Sequence, residues 1–411
     1  MFKIICSLVW LVGLSALSGC SKPNVEVSIH DFEKNLIEKL ILAKTGDVIE
    51  IPEGRHEITR GLSLKVDGVT IKGAGMDKSI LSFKNQNQGA EGLIITANDI
   101  NLMNFAVEDT KGDAIKINEC NNLLIKNVRV EWTNGPDESN GAYGLYPVQC
   151  KNVVIDGSVA IGASDAGIYV GQSNHVIVKN SRAEFNVAGI EIENTINADV
   201  FDNIATNNTG GILVFNMPNL PQPGSKTRVF HNQIFENNTR NFAPQGTAVS
   251  SVPAGSGVVV NSNDQVEIFE NDIRDNATAN IIISSYFATG YSDSATSDAF
   301  DPYPESIYIY DNRFSGGGDS PDGLNLKALK VAMFGLNGRL PDILWDGYQN
   351  ESLLVDGEMP VESSICVDNG EAVLLNADLL HESKNVSVDM SAHQCTLAKL
   401  PEIKLSLPNS I

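Results

Sequence analysis

The chain has 411 residues, of which 42% are hydrophobic, 19% charged and only 7% aromatic, with 35 glycines. That composition excludes coiled coils and charged disordered chains and leaves a turn-rich globular protein with enough apolar mass for a core. A formal charge of -22 would be repelled by phosphate backbones and anionic lipid surfaces, so nucleic acid is excluded as a partner.

Met1-Phe2-Lys3 opens with one positive charge, and an apolar run from Ile4 to about Leu17 follows. Residues 1–19 read as a signal peptide, too short and too abruptly ended to be a spanning helix. Leu17-Ser18-Gly19-Cys20 is similar to the bacterial lipobox. That resemblance implies lipidation at Cys20, a membrane contact through the N-terminal lipid, and a mature chain of net charge -23 once Lys3 is removed. Ser21 in place of Asp implies, by the same resemblance, an outer-membrane anchor facing the periplasm. Cys6 leaves with the signal, so Cys120, Cys150, Cys366 and Cys395 remain. Four thiols in an oxidising compartment allow three pairings, and neighbourhood in the chain favours Cys366 with Cys395. No C-x-x-C occurs, which leaves zinc ribbons, thioredoxin motifs and c-type haem attachment without support.

Residues 20–45 are expected to form a linker and a cap helix, with Phe32 to Leu40 amphipathic. From 46 to 315 a repeat of about 22 residues organises the chain. Its anchor is a Gly/Ala-x-Ile-x-Val phrase whose first apolar residue falls at 93, 115, 145, 168, 190, 212, 258 and 281. Five of these seven gaps are 22 or 23 residues. About ten residues after each anchor comes a second apolar phrase ending in Asn127, Asn180, Asn203, Asn232, Asn271 or Asn312, then a third closed by pairs such as Phe185-Asn186 and Asn207-Asn208. Strands this short cannot bury a face alone and must stack on their neighbours. Three per repeat make one coil of a parallel β-helix. The period within each phrase is two, which excludes amphipathic helices. From 316 to 411 the repeat fades after Gly316-Gly317-Gly318, Leu324 to Leu336 reads as a helix or irregular coil, and the rest reads as a C-terminal cap stapled by Cys366 and Cys395. The fold class is therefore all-β, a single-stranded parallel β-helix with three strands per coil, a helical N-terminal cap and an irregular C-terminal cap.

These coils, with the helix and Gly46 to Gly54 ahead of them, resemble the pectate-lyase-like superfamily of right-handed parallel β-helices. More narrowly, Asn140-Gly141-Ala142-Tyr143-Gly144-Leu145-Tyr146-Pro147-Val148-Gln149-Cys150 and Ser164-Asp165-Ala166-Gly167-Ile168-Tyr169-Val170-Gly171-Gln172-Ser173 look like bacterial β-helix lipoproteins encoded beside a diheme c-type cytochrome. That likeness implies a docking role toward such a cytochrome as one alternative function.

Four insertions interrupt the repeat: Trp132 to Ala142, Met217 to Lys226, Arg240 to Gly255 and Tyr286 to Glu305. Two precede an anchor strand and two follow one, so all four are expected to wall the outer face of the anchor sheet into a groove. Residues following the inward anchors point out, namely Lys116, Tyr146, Tyr169 and Glu191, and four positions beyond each anchor lie Glu119, Gln149, Gln172, Asn194 and Asn216. At ~4.8 Å per coil these columns make a stripe about 20 Å long, suited to an extended ligand such as a polysaccharide. With Asp165 and Glu193 they form the expected binding groove. The Asn127 to Asn312 column is read as a structural ladder.

Catalysis would take one of two forms. Glycosidases need two carboxyls roughly 5 or 6.5–9.5 Å apart; Glu191 and Glu193 share a strand face with about 6.6 Å of rise, and Asp165 lies across the coil edge. Polysaccharide lyases and uronate epimerases need a base and a positive charge, for which Tyr169 with Lys116 is the best pair, though two coils separate them. The Asp-rich motifs of polygalacturonases and the Asp-Pro-His-Asp type motif of mannuronan epimerases are absent, and a non-catalytic binding role is favoured. His175 and His231 stand isolated. The sequence predicts no cofactor; Ca²⁺ is the one ion that Asp113, Asp165, Glu191 and Glu193 would suit as oxygen ligands, but no loop has EF-hand spacing.

Overall fold

A computed structural model describes residues 29–289, 296 and 300–407. The expected signal segment, 1–19, and Cys20 lie outside the described residues. The chain winds through three parallel sheets of 11, 10 and 11 strands, each strand pairing with its counterpart one coil away. Each coil passes from the first sheet through the second to the third, and the anchor strands form the third. Alternation explains the core: Ile115, Leu145, Ile168, Ile190, Ile212, Val258, Ile281 and Ile343 pair in register along the third sheet, and every one is fully buried.

Helix α1 (Ile29–Leu42) covers the N-terminal opening. Leu36 and Leu40 enter the core, and the Glu33 carboxylate accepts from the backbone N–H groups of Thr59 and Arg60 at 2.8 and 3.2 Å. The helix thus satisfies a strand edge that would otherwise be a pairing hazard. At the other end the solenoid does not stop at 315. Strands Ile343–Trp345, Ile365–Asp368 and Leu374–Asn376 extend the first and third sheets. The sequence period faded there because long segments between coils, including helix α2 (Leu324–Phe334), separate the strands. Disulfides join Cys120 to Cys150 and Cys366 to Cys395. The tail then runs back over the outer face of the first sheet, where Leu400 N–H donates to Glu267 and Ile403 N–H to Asp199.

The asparagine column needs one correction. Asn203, Asn232, Asn271 and Asn312 form a continuous ladder, each amide oxygen accepting from the residue one coil before. Asn127 and Asn180 are not rungs of it. They occupy the preceding turn position with φ of 51° and bond outside, to Asn104 and Asp156. The ladder places beside them are held by Val128 and Ser181, with Ser158 in the coil between, and each donates its N–H to the side chain one coil on, Val128 to Ser158, Ser158 to Ser181 and Ser181 to Asn203. The left-handed turn residue is the one that asparagine mimics most easily in sequence.

Candidate functional site

The four insertions do enter and leave the third sheet: two precede the strands Tyr143–Val148 and Ser256–Asn261, and two follow Gly210–Phe215 and Ala279–Ser284. Part of the last, 290–295 and 297–299, lies outside the described residues. The outward column of this sheet runs Lys116, Tyr146, Tyr169, Glu191 and then Leu213, Val259, Ile282, Leu344. It is polar and aromatic in its N-terminal half and aliphatic in its C-terminal half.

The polar half is not an open stripe. The third insertion folds across it, and Phe242, Val249 and Val252 join Tyr169, Leu213 and Phe215 in one apolar cluster. Tyr169 is 4% exposed and Glu191 1%. Lys116, Tyr146, Glu193 and Gln149 keep contact with solvent.

Three tyrosine rings meet at this place. The centroids of Tyr143, Tyr146 and Tyr169 lie 4.4 to 4.9 Å apart, and Lys116 Nζ sits 4.7 Å over the Tyr146 ring and 3.5 Å from Asp113. Gly171 makes room for the third ring, since a Cβ there would collide with the Tyr169 phenol. Tyr169 donates its hydroxyl to Glu193 Oε1 at 2.7 Å. Gln172 Nε2 donates to the Tyr169 oxygen at 3.1 Å and to Glu193 Oε1 at 3.3 Å. Tyr143 donates to Asp165 Oδ2 at 3.4 Å.

Burial, reinforced by the Glu193 charge, lifts the Asp165 carboxyl to about 8. Burial and then the charges of Asp165 and Glu193 raise Glu191 well above the ordinary range, and burial raises Glu193 and Asp113 as well. Burial also holds the Tyr143 and Tyr169 phenols neutral and pushes Tyr146 up to about 12. Glu191 Oε2 is buried with no hydrogen-bond partner among the described residues. Carboxyls this crowded share protons rather than all ionising. Glu193 accepts from both Tyr169 and Gln172, whereas Asp165 accepts from Tyr143.

Several sequence expectations are corrected by this geometry. Tyr169, expected as a base, has its phenol raised well above the ordinary range by burial and then by the Glu193 charge, and its hydroxyl donates a hydrogen bond to Glu193. Lys116 turns toward Asp113 and Tyr146, on a strand two coils from Tyr169. Asn194 and Asn216, each 1% exposed, hold the second insertion instead of facing a ligand. Asn194 Nδ2 donates to Asn216, Met217 and Gln222 oxygens at 2.8 to 3.0 Å, and Asn216 accepts from Gly224 N–H. Gln149, Gln172 and Asn194 have φ of 55°, 46° and 45°, so they are turn formers first. Among the described residues no three of His, Cys, Asp and Glu converge to hold a metal ion. No helix of the described residues is long and apolar enough to cross a membrane.

Sequence reasoning missed Tyr143 and the roof. Tyr143 has the parity of inward-facing Leu145, so strand alternation does not single it out as a groove residue. The alternation breaks at the strand's start, where Ala166 and Ala188 also join the outer cluster. The Ala142-Tyr143-Gly144 run held the only available signal, an aromatic beside a glycine whose Cβ would meet the Gly167 carbonyl.

Comparison with known proteins supports the architecture. The family model described as "Right handed beta helix region" matches residues 60–237. The A-module of the Azotobacter vinelandii mannuronan C-5 epimerase AlgE4 superposes with a TM-score of 0.54 at 17% identity, covering 82% of this chain and 89% of that one. The A-module of AlgE6 from the same organism gives 0.50 at 15% identity, over 83% and 88%. Curated proteins yield no sequence match. At these identities the likeness is one of fold.

Proposed function

We propose that the outer face of the third sheet binds an extended saccharide. The observation that carries this reading is the convergence, beneath loop walls, of three tyrosines with Asp113, Asp165, Glu191 and Glu193 on one face. Aromatic faces suit sugar rings, and a buried carboxyl lacking a partner suits a hydroxyl donor. The ligand meets the accessible groups first, Lys116, Tyr146, Gln149 and Glu193. Fold relatives whose names specify a mannuronan epimerase are consistent with carbohydrate as the ligand class. One lysine against four acids favours a neutral saccharide over a polyuronate. Calorimetric titration with neutral and uronic oligosaccharides tests this. A neutral oligosaccharide is expected to bind, with Tyr146→Ala weakening it about tenfold, a hot-spot-sized loss of roughly 1.4 kcal/mol. Failure of every oligosaccharide to bind, or an unaltered Tyr146→Ala, removes the reading.

A second reading, proton transfer on the bound sugar, is favoured by the pairing of neutral Asp165 with the doubly hydrogen-bonded Glu193. Two carboxyls with separated proton affinities are the requirement for acid–base work at neutral pH. Product analysis after long incubation, with Asp165→Asn and Glu193→Gln as the inactive controls, distinguishes it from binding alone. We further propose export and lipidation at Cys20, on the lipobox-like sequence; loss of labelled-palmitate incorporation in Cys20→Ser is the expected outcome, and retained labelling would refute it.

A further inference from the structure

Beyond the roof loop the same sheet face changes character. A cavity of about 580 Å³ opens there, within the roughly 300–1,000 Å³ typical of small-molecule sites. Its floor is the aliphatic end of the outward column, Val259, Ile282 and Leu344. One wall is helix α2, which turns Leu326, Ala328 and Leu329 to the cavity. Leu326, Leu329 and Phe334 of α2 pack against the cluster of Ala279, Leu340, Leu344 and Leu375 but are only partly buried there, and no residue of the helix is fully buried, so its apolar side is incompletely covered.

Of the polar groups of the lining, which include Ser284 and Asp346, Asn261 stands out for an acceptor unpartnered among the described residues. Asn261 lies in the outward column between Phe215 and Ser284 and is 1% exposed. Its Nδ2 donates to Ser284 Oγ at 2.9 Å and to the Ser285 carbonyl at 3.1 Å. The carbonyl acceptor fixes the amide's orientation. Asn261 Oδ1 is then left buried with no partner among the described residues. A buried acceptor without a donor, on the edge of an apolar cavity, calls for a ligand that brings one.

We propose that this cavity is a binding site, separate from the saccharide face, for an amphiphile made of an aliphatic chain and a hydroxyl-bearing head. The chain fills the space between α2 and the sheet, and the hydroxyl donates to Asn261 Oδ1. The inference does not depend on the saccharide reading.

The test is displacement of N-phenyl-1-naphthylamine fluorescence from the full chain by 1-alkanols of six to twelve carbons and by alkyl methyl ethers of equal length. Alkanol affinity is expected to rise about fourfold per methylene, the equivalent of ~0.8 kcal/mol each, until the cavity is full. The ethers, which lack a donor, are expected to bind about tenfold more weakly at each length. Ile282→Trp should abolish displacement by filling the floor. Ala328→Trp, on the exposed helix, should do the same without risk to the core, while Met333→Trp, which does not line the cavity, should leave it intact. Flat dependence on chain length, equal affinity of alkanol and ether, or unaltered binding in a natively melting Ala328→Trp would each overturn the proposal. So would a concentration-dependent dimer broken by Ala328→Trp, because the apolar wall would then belong to a second copy of the chain.

Discussion

The asparagine ladder and the acid cluster are both buried, polar and repeated along the solenoid, yet they are built on opposite terms. In the ladder every amide is paired. Asn232 donates to the Val200 carbonyl and to Asn271, and accepts from Asn203. In the cluster, burial raises the proton affinity of Asp165, Glu191 and Glu193, the Glu193 charge adds to the rise at Asp165, and the charges of Asp165 and Glu193 add to it at Glu191, while Glu191 Oε2 has no partner among the described residues. Fully satisfied polarity rigidifies a coil, whereas crowded and unsatisfied carboxyls cost stability and are kept for another reason. The difference teaches that periodicity alone cannot sort structural from functional polar columns; hydrogen-bond completeness does.

The largest expected effect breaks the ladder. Asn232→Ala strands the Asn203 amide donors and the Val200 carbonyl, which should cost about 3 kcal/mol at roughly 1–3 kcal/mol per buried orphan. Chemical denaturation should show this loss unchanged across pH, because no titrating group is involved. The cluster should respond oppositely. Asp165 ordinarily titrates at 3.8 but is raised to about 8, so between these values the folded state holds a proton that the unfolded chain releases. Stability therefore falls as pH rises from about 4 to about 8. Asp165→Asn should flatten that slope and gain roughly 1–2 kcal/mol at pH 8, read as a higher melting temperature. Asp264 and Asp346, also raised by burial, to about 8 and about 6, leave a residual slope in the variant. A destabilised Asp165→Asn at pH 8 would place that carboxyl with the satisfied groups and erase the contrast.

The strand period and glycine-marked turns made the solenoid legible, because burial on one side imposes alternation coil after coil. The anchors at Ile115, Leu145, Ile168 and Ile190 could be read directly. The site was legible only in part. Lys116, Tyr146, Tyr169 and Glu191 follow from parity, but the roof formed by Phe242, Val249 and Val252 comes from an insertion with no period. Nothing in its sequence says which way a loop folds across a sheet. For the same reason Tyr169 read as an exposed group when it is 4% exposed. Asn194 and Asn216 read as groove residues because the carbonyls of Met217 and Gln222 that hold Asn194 are backbone groups, invisible in side-chain spacing.

Two smaller effects sharpen the comparison within the cluster. Tyr169→Phe removes the 2.7 Å donor to Glu193 while Gln172 still donates, so the cost should be about 1 kcal/mol. The profile of any acid–base activity should then shift to higher pH as Glu193 loses a partner of its anion. Lys116→Ala should change stability least. Its side chain is 25% exposed and its ammonium lies 3.5 Å from Asp113, a partly solvated pair worth within about 0.5 kcal/mol. Yet that ammonium is the cation over the Tyr146 ring, at the open edge of the face. If the face works by ligand contact, Lys116→Ala alters oligosaccharide affinity several-fold with the melting temperature almost unmoved. A ladder residue cannot do this, because its hydrogen bonds are spent on neighbouring coils. Equal small effects on binding and stability would instead make Lys116 an ordinary surface lysine and confine the functional part of the column to the tyrosines and acids.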